Sequence, residues 1–266
     1  PPGVIGDEED CNDNDPNAGP YNFATFECTN IADSCLTSED PLIIDENYLE
    51  SRVWSKDMHI RRDIIIAGGN TLEVKGNVFF SPGAKIVVQP GGKLILSYHF
   101  KNNQIYPARL TSSCNNFWGG IELQGDPRAL QNEFNQGTVE IDFGIIEHAR
   151  CAVKTINYGA VPEGGGVPFE EGTPSGGIIR AEAAVFRNNL SGVEFLPFRF
   201  GSDVNLSYFK GCTFETTDAL FEQIAPKQHL KVFGLNELSV KGCTFRNIRE
   251  GNVLPEERGN GIYFYH

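Results

Sequence analysis

An eleven-residue run, Ile64 to Val74 (I-I-I-A-G-G-N-T-L-E-V), recurs without a gap at 86–96 as I-V-V-Q-P-G-G-K-L-I-L, twenty-two residues later. Ile64 matches Ile86, Gly69 matches Gly91, Leu72 matches Leu94 and Val74 matches Leu96. Self-similarity at so short a period implies a stacked architecture, in which each unit buries its apolar side only against its neighbours. Two β-branched runs flank a Gly-rich corner, and no helix-forming stretch separates the copies. The unit therefore reads as one coil of a parallel β-helix.

Looser copies extend the pattern to the end of the chain. Lys210-Gly211-Cys212-Thr213-Phe214 returns as Lys241-Gly242-Cys243-Thr244-Phe245, and Phe186 and Ile146 fit the slot of Phe214 further back. A second column holds Gly120-Ile121-Glu122-Leu123, Gly192-Val193-Glu194-Phe195 and Gly261-Ile262-Tyr263-Phe264, with Ala152-Val153 in step. Unequal spacings are expected, because coils keep their strands in register and send extra residues outward at corners. Loops are expected near 124–137, 157–177 and 251–260.

Charge patterning supports the stack. Glu147, Arg187, Glu215 and Arg246 occupy one outward slot with alternating sign, and strands about 4.8 Å apart make opposite charges favourable neighbours. The other column gives Glu122, Lys154, Glu194, Glu222 and Tyr263. Both ladders are expected to form solvated, stabilising faces. Val240, Cys243 and Phe245 are expected to point inward above Cys212 and Phe214.

The net charge of −13 is unevenly spread: residues 1–50 carry thirteen Asp and Glu and no Lys or Arg. This divides the chain into an acidic, Cys-containing cap or linker at 1–50 and a β-helix at 51–266, with Leu42, Ile43, Ile44, Tyr48 and Leu49 able to cover the first coil. The coil region is neutral and has no basic stripe to neutralise phosphates, so nucleic acid is not an expected partner. No apolar stretch approaches the length of a membrane span. Three of the seven cysteines, Cys11, Cys28 and Cys35, fall in the acidic segment. A disulfide between two of them, or from one of them to Cys114, fits an extracytoplasmic setting. Cys212 and Cys243 read as inward, core-forming thiols.

One motif carries metal chemistry. Asp10, Asn12, Asp13, Asn14 and Asp15 surround Cys11 and offer the hard oxygens that calcium selects. No EF-hand frame fits, because Gly and Glu are missing at the required positions. A solvated acidic turn is the alternative. The run D-C-N-D-N-D-P resembles the Asp/Asn-rich metal-binding repeat of many secreted bacterial proteins, without that repeat's second Cys. More widely, Trp54 followed by D-I-I-I, T-L-E-V-K-G-N-V-F-F, P-G-A-K-I-V-V-Q-P-G-G-K-L and N-N-F-W-G-G-I-E-L-Q-G resembles the opening coils of secreted right-handed β-helix proteins of Bacteroidota. The resemblance implies an all-β, pectate-lyase-like fold, an extracellular or cell-surface location and export of the type IX kind. It implies no activity.

Glycan cleavage needs carboxylates converging on one groove. The paired aspartates and G-H-G turn of polygalacturonases are absent, and Leu196-Pro197-Phe198-Arg199 lacks the rest of a pectate-lyase pattern. His59, His99, His148, His229 and His266 show no metal-ligand or nucleophile spacing. A binding role is therefore expected: a non-enzymatic adhesive, structural or assembly component whose partner is an extracellular glycan or another protein subunit. The alternative is a polysaccharide lyase or glycoside hydrolase. Tyr158, Phe169, Tyr98, Phe100 and Tyr106 are the aromatic candidates for stacking on sugars. The last coil, at Gly261 to Phe264, would present an open edge, which further chain or a partner is expected to cover.

Overall fold

A computed structural model of the chain describes residues 18–22, 27–30, 40–50, 52–158, 174–198, 204–249 and 258–265. The chain winds as a parallel β-helix with three faces. The first sheet stacks eight strands: Leu42–Ile44, Ile64–Ile66, Lys85–Val88, Trp118–Gly125, Ala149–Asn157, Ser191–Phe195, Gln228–Phe233 and Asn260–Tyr265. The second stacks seven: Val53–Trp54, Thr71–Val74, Lys93–Leu96, Thr138–Asp142, Ile178–Glu182, Tyr208–Lys210 and Ser239–Lys241. The third also has seven: Met58–Ile60, Asn77–Phe80, Arg109–Ser112, Ile145–Glu147, Val185–Arg187, Thr213–Thr216 and Thr244–Asn247. Each coil contributes one strand to every sheet. The final strand belongs to the first sheet alone.

The twenty-two-residue repeat is the register of the second and third coils. Ile64 pairs with Ile86, Ile66 with Val88, Leu72 with Leu94 and Val74 with Leu96. Alternation inside each short strand decides which side chains enter the core: Ile64, Ile66, Leu72, Val74, Val78 and Phe80 are all fully buried in a single coil. The aromatic column is also formed. The rings of Phe186 and Phe214 lie 4.6 Å apart at 8°, and those of Phe214 and Phe245 lie 4.8 Å apart at 7°. Ile146 continues the column beneath Phe186.

Corners follow from backbone conformation. Phe143, Ala183, Gly211 and Gly242 occupy the same corner between the second and third sheets in successive coils, all left-handed, with φ of 57°, 50°, 63° and 63°. That conformation turns their amides along the stack. Phe143 donates to the Glu182 carbonyl, Ala183 to that of Lys210 and Gly211 to that of Lys241, at 2.9–3.0 Å. The glycines of the other column have a different cause. A Cβ on Gly120 would lie 1.7 Å from the Cys151 carbonyl oxygen, and one on Gly192 would lie 2.0 Å from that of His229. Backbone from the next coil fills the space.

Four expectations change. The first coil begins with Leu42–Ile44, which pairs in parallel with Ile64–Ile66, so part of the segment expected to cover the stack is its opening strand. Ile44 enters the core, whereas Leu49 is 97% exposed. Second, Glu222 lies in the short 3-10 turn Phe221–Gln223 and is not in the ladder. Lys231 takes that slot, giving the regular series Glu122, Lys154, Glu194, Lys231, Tyr263. Third, the Glu147–Arg246 ladder is not a solvated face, because the carboxylates of Glu147 and Glu215 are only 1% and 3% exposed. Fourth, a hairpin absent from the sequence reading, Tyr98–Lys101 with Gln104–Pro107, interrupts the third coil. Its two-residue turn, Asn102-Asn103, is left-handed at both positions, the geometry for which Asn is favoured.

At the amino-terminal side, Ala18–Asn22 pairs antiparallel with Glu27–Asn30 and lies against Met58–Ile60. Cys114 is disulfide-bonded, while Cys151, Cys212 and Cys243 are free thiols. Burial pushes the Cys212 thiol up to about 12, consistent with a neutral core residue. In the last coil Ile262, Tyr263 and Phe264 are exposed. No helix among the described residues is long and apolar enough to cross a membrane.

Candidate functional site

The outer face of the second sheet is bordered by the loop that leaves the first sheet at Gly125 and enters the second at Thr138. Short-range polar contacts set the shape of this loop. The Asp126 carboxylate accepts from the Arg128 amide at 2.8 Å, and the Asn132 side-chain oxygen accepts from the amides of Phe134 and Asn135, both at 3.1 Å. Such Asx contacts stand in for backbone turns. Two buried glutamines then fasten the loop to the stack. Gln136 donates to the carbonyls of Asp126 and Leu130 and accepts from the Gly177 amide. Gln131 donates to the Gly177 carbonyl and accepts from the Leu206 amide at 2.6 Å. A side chain on Gly91 would press on the Phe134 carbonyl at 3.2 Å, so the glycine corner also lets the loop approach.

Between loop and sheet lies an open groove of about 890 Å³, lined by Thr71, Lys93, Ile95, Glu133, Phe134, Arg180, Leu206 and the Gly68-Gly69 and Pro90-Gly91 corners. It crosses from the second coil to the sixth, about 19 Å at the usual strand spacing. Phe134 stands at its rim, 89% exposed.

Four charges cross-link the floor. Lys93 Nζ lies 2.8 Å from Glu133 and 3.3 Å from Glu140. Arg180 Nη1 donates to Glu133 and, at 3.0 Å, to Glu140. Hydrogen bonds from Lys93 and Arg180 hold the Glu133 carboxyl below the usual carboxylate range. For Lys93, burial acts to lower the pKa, but Glu133 and Glu140 together raise it above its ordinary value. Glu133, Lys93 and Arg180 therefore stay charged near neutrality, and Glu133 fastens the loop to two coils at once.

A second polar cluster lies on the outer face of the third sheet. Glu147 accepts from Arg109 Nε at 2.7 Å and from the Thr111 hydroxyl at 3.1 Å, and Thr111 also lies 3.1 Å from His148 Nδ1. His148 packs under Phe221, with ring centroids 4.8 Å apart. Burial is the main cause of its lowered pKa, which keeps the imidazole neutral. Thr111 is itself 3% exposed, so its hydroxyl lies within the ladder instead of facing a substrate.

Of the residues singled out in the sequence, Asp10, Asn12, Asp13, Asn14 and Asp15 fall outside the described residues, as do Phe169 and His266. Among the described residues no group of three or more His, Cys, Asp or Glu is arranged to hold a metal. Tyr98, Phe100 and Tyr106 sit on the hairpin and Tyr158 at the end of a strand; none of them lines the groove. Tyr98 meets Phe143 edge-on and Tyr106 stacks on His99. Leu196 and Phe198 are core residues.

The groove residues Lys93, Glu133, Phe134 and Arg180, and Glu140 paired with them, were not singled out in the sequence. A signal existed for part of the set: T-V-E-I-D at 138–142 aligns with I-I-R-A-E at 178–182, which makes Glu140 and Arg180 neighbours. No pattern marked Phe134, a single apolar residue within N-E-F-N-Q.

No protein-family model, curated protein or solved structure matches the chain.

Proposed function

We propose that this β-helix is a non-catalytic binding scaffold of the extracellular space or cell surface, which holds an extended glycan in the groove beside Phe134. One observation carries the reading. Phe134 is almost fully exposed, yet its amide is anchored to Asn132 on a loop fastened by Gln131, Glu133 and Gln136. An exposed aromatic on a fixed backbone presents a flat apolar surface with little ordering cost on binding. The reading of location rests on the resemblance of the opening coils to secreted β-helices and on the disulfide at Cys114.

The charge state of the groove favours binding over hydrolysis. A general acid for glycoside cleavage needs a raised carboxyl pKa, whereas Glu133 is shifted down. Affinity electrophoresis and calorimetric titration against a panel of soluble polysaccharides test the proposal. Binding by the native protein is expected, and Phe134→Ala is expected to weaken it at least about tenfold at unchanged melting temperature. Equal binding by the variant contradicts the groove assignment, and release of reducing ends or unsaturated products contradicts the non-catalytic one.

Calcium is proposed separately for Asp10, Asn12, Asp13, Asn14 and Asp15, on ligand chemistry alone. The expected result is a calcium-dependent rise in melting temperature that is lost when Asp13 and Asp15 become Asn. Absence of any shift in the native protein removes the metal from the account.

A further inference from the structure

We infer that the groove takes a neutral, hydroxyl-rich glycan in preference to a polyuronate or another polyanion. This rests on the glycan-binding reading above and specifies its ligand. The groove contains cations, which at first suggests an acidic substrate. Their pairing argues the reverse. Lys93 and Arg180 face Glu133 and Glu140 in a closed set of two positive and two negative charges, with contacts of 2.8–3.3 Å and a still closer one between Arg180 and Glu133. A polyanion gains nothing from a set that sums to zero. To reach either cation it must displace a carboxylate already bound there, and a displaced Glu133 also frees the loop that carries Phe134. The next outward column of the same sheet, Asp142, Glu182, Lys210 and Lys241, also sums to zero, with Lys210 Nζ 3.4 Å from Glu182, and so offers a polyanion no net attraction.

The same set suits a sugar edge. An ionised carboxylate carries several lone pairs and a guanidinium five N–H donors. Only Nη1 of Arg180 is engaged by the two carboxylates. Hydroxyl groups both donate and accept, so they can bridge the spare lone pairs and spare donors without breaking the internal pairs. Charge-assisted hydrogen bonds of this kind are the stronger ones. The apolar C–H face of a pyranose ring has its own partners in Phe134, Ile95 and Leu206, which share the groove with the charged set. A mixture of planar charged groups and apolar surface, with no net charge, matches an amphipathic neutral ring. The distance from second to sixth coil accommodates several linked rings.

The test titrates the intact protein with neutral oligosaccharides (cello-, xylo- and manno-oligosaccharides) and with oligogalacturonate, at about 0.05 and about 0.5 M salt, where screening lengths differ severalfold. The expected result is binding to at least one neutral series, with affinity changing less than about twofold between the two salt conditions. Phe134→Ala weakens this binding at least about tenfold, the scale of one central contact, with melting temperature unchanged because the ring is exposed. Arg180→Lys, which retains the charge but loses the planar donor set, weakens it as well. Binding to oligogalacturonate alone, with affinity falling steeply in salt, overturns the inference and leaves the glycan-binding reading standing. Absence of binding to either class overturns that reading itself.

Discussion

Two outer faces of the same helix carry alternating charges, and the fold treats them in opposite ways. On the third sheet, Glu215 lies between Arg187 and Arg246, with Nε–O distances of 2.7 and 2.9 Å, and is 3% exposed. The shorter carboxylates lie under longer arginine stems, and Phe221 covers His148 beside them. On the second sheet, Lys93, Glu133, Glu140 and Arg180 remain 22–41% exposed along a groove. Alternation of sign sets up both networks. What differs is the connection beside each: the 217–224 segment packs on the corner next to the third sheet, against Phe117, His148 and Asn188, while the 126–137 loop forms a wall along the second sheet and leaves a groove. The third-sheet network serves stability and the second-sheet network is available to a ligand.

The largest expected effect breaks the buried ladder. Glu215→Gln leaves Arg246 without a carboxylate and Arg187 with only Glu147, 3.8 Å away. Because those arginines are one-third to one-half exposed, water recovers part of the loss, and a cost of about 2–3 kcal/mol is expected, below that for fully buried pairs. Thermal unfolding should show a drop of roughly 5–10 °C. A shift under one degree would show that the ladder contributes nothing to stability.

Acid should separate the faces next. Burial keeps the His59 pKa down at about 4 and also lowers His148 and His229. An unfolded histidine titrates near ~6.5, so the unfolded chain takes up protons first. Stability is full above that pH and declines as pH falls from ~6.5 toward the depressed folded values. Burial raises the Glu215 carboxyl, but Arg187 and Arg246 outweigh it and leave a net lowering, as Lys93 and Arg180 do for Glu133. Their contribution is present above the unfolded carboxylate range and is lost as pH falls below it. Denaturant melts from pH 8 to 4 should therefore show a decline beginning near pH 6.5, and it should be shallower in His148→Gln. A flat profile down to pH 5 contradicts the assignment of neutral buried histidines.

Smaller effects sharpen the contrast. Glu133→Gln alters an exposed pair and should cost no more than about 1 kcal/mol, measured by urea unfolding, while loosening the loop enough to weaken glycan binding. At the corner joining the two faces, Ala183 is left-handed, with φ of 50°. Ala183→Gly matches Gly211 and Gly242 and should gain up to about 1 kcal/mol. Gly211→Ala has open space for its Cβ and should lose a similar amount through backbone strain alone. Equal stability of both variants with the native protein would remove that explanation of the K-G-C-T-F repeat.

The repeated elements were legible because stacking makes register and sequence alignment the same thing. Ile64 over Ile86 and Phe214 under Phe245 follow directly from aligned runs. The sign pattern of Glu147, Arg187, Glu215 and Arg246 was legible too, but its burial was not, since that depends on how arginine stems fold across the sheet and the Phe221 turn packs on the corner beside it. Glu222 was misplaced because the 3-10 turn and the residues after it shift the next strand to 228–233, which hands the slot to Lys231. The groove was the least legible part. Its wall is an insertion whose path is set by Gln131 and Gln136 reaching Gly177 and Leu206, contacts 41–75 residues apart. No local pattern encodes such contacts, so nothing local distinguishes Phe134 from a buried loop anchor.

The most direct measurement pairs Phe134→Ala with Glu215→Gln in one calorimetric titration and one thermal melt, using the glycan that the native protein binds. The account predicts a crossed result: Phe134→Ala loses affinity and keeps its melting temperature, while Glu215→Gln keeps affinity and melts lower. Native affinity in Phe134→Ala, or loss of affinity in folded Glu215→Gln, would contradict the division between a stabilising third face and a binding second face.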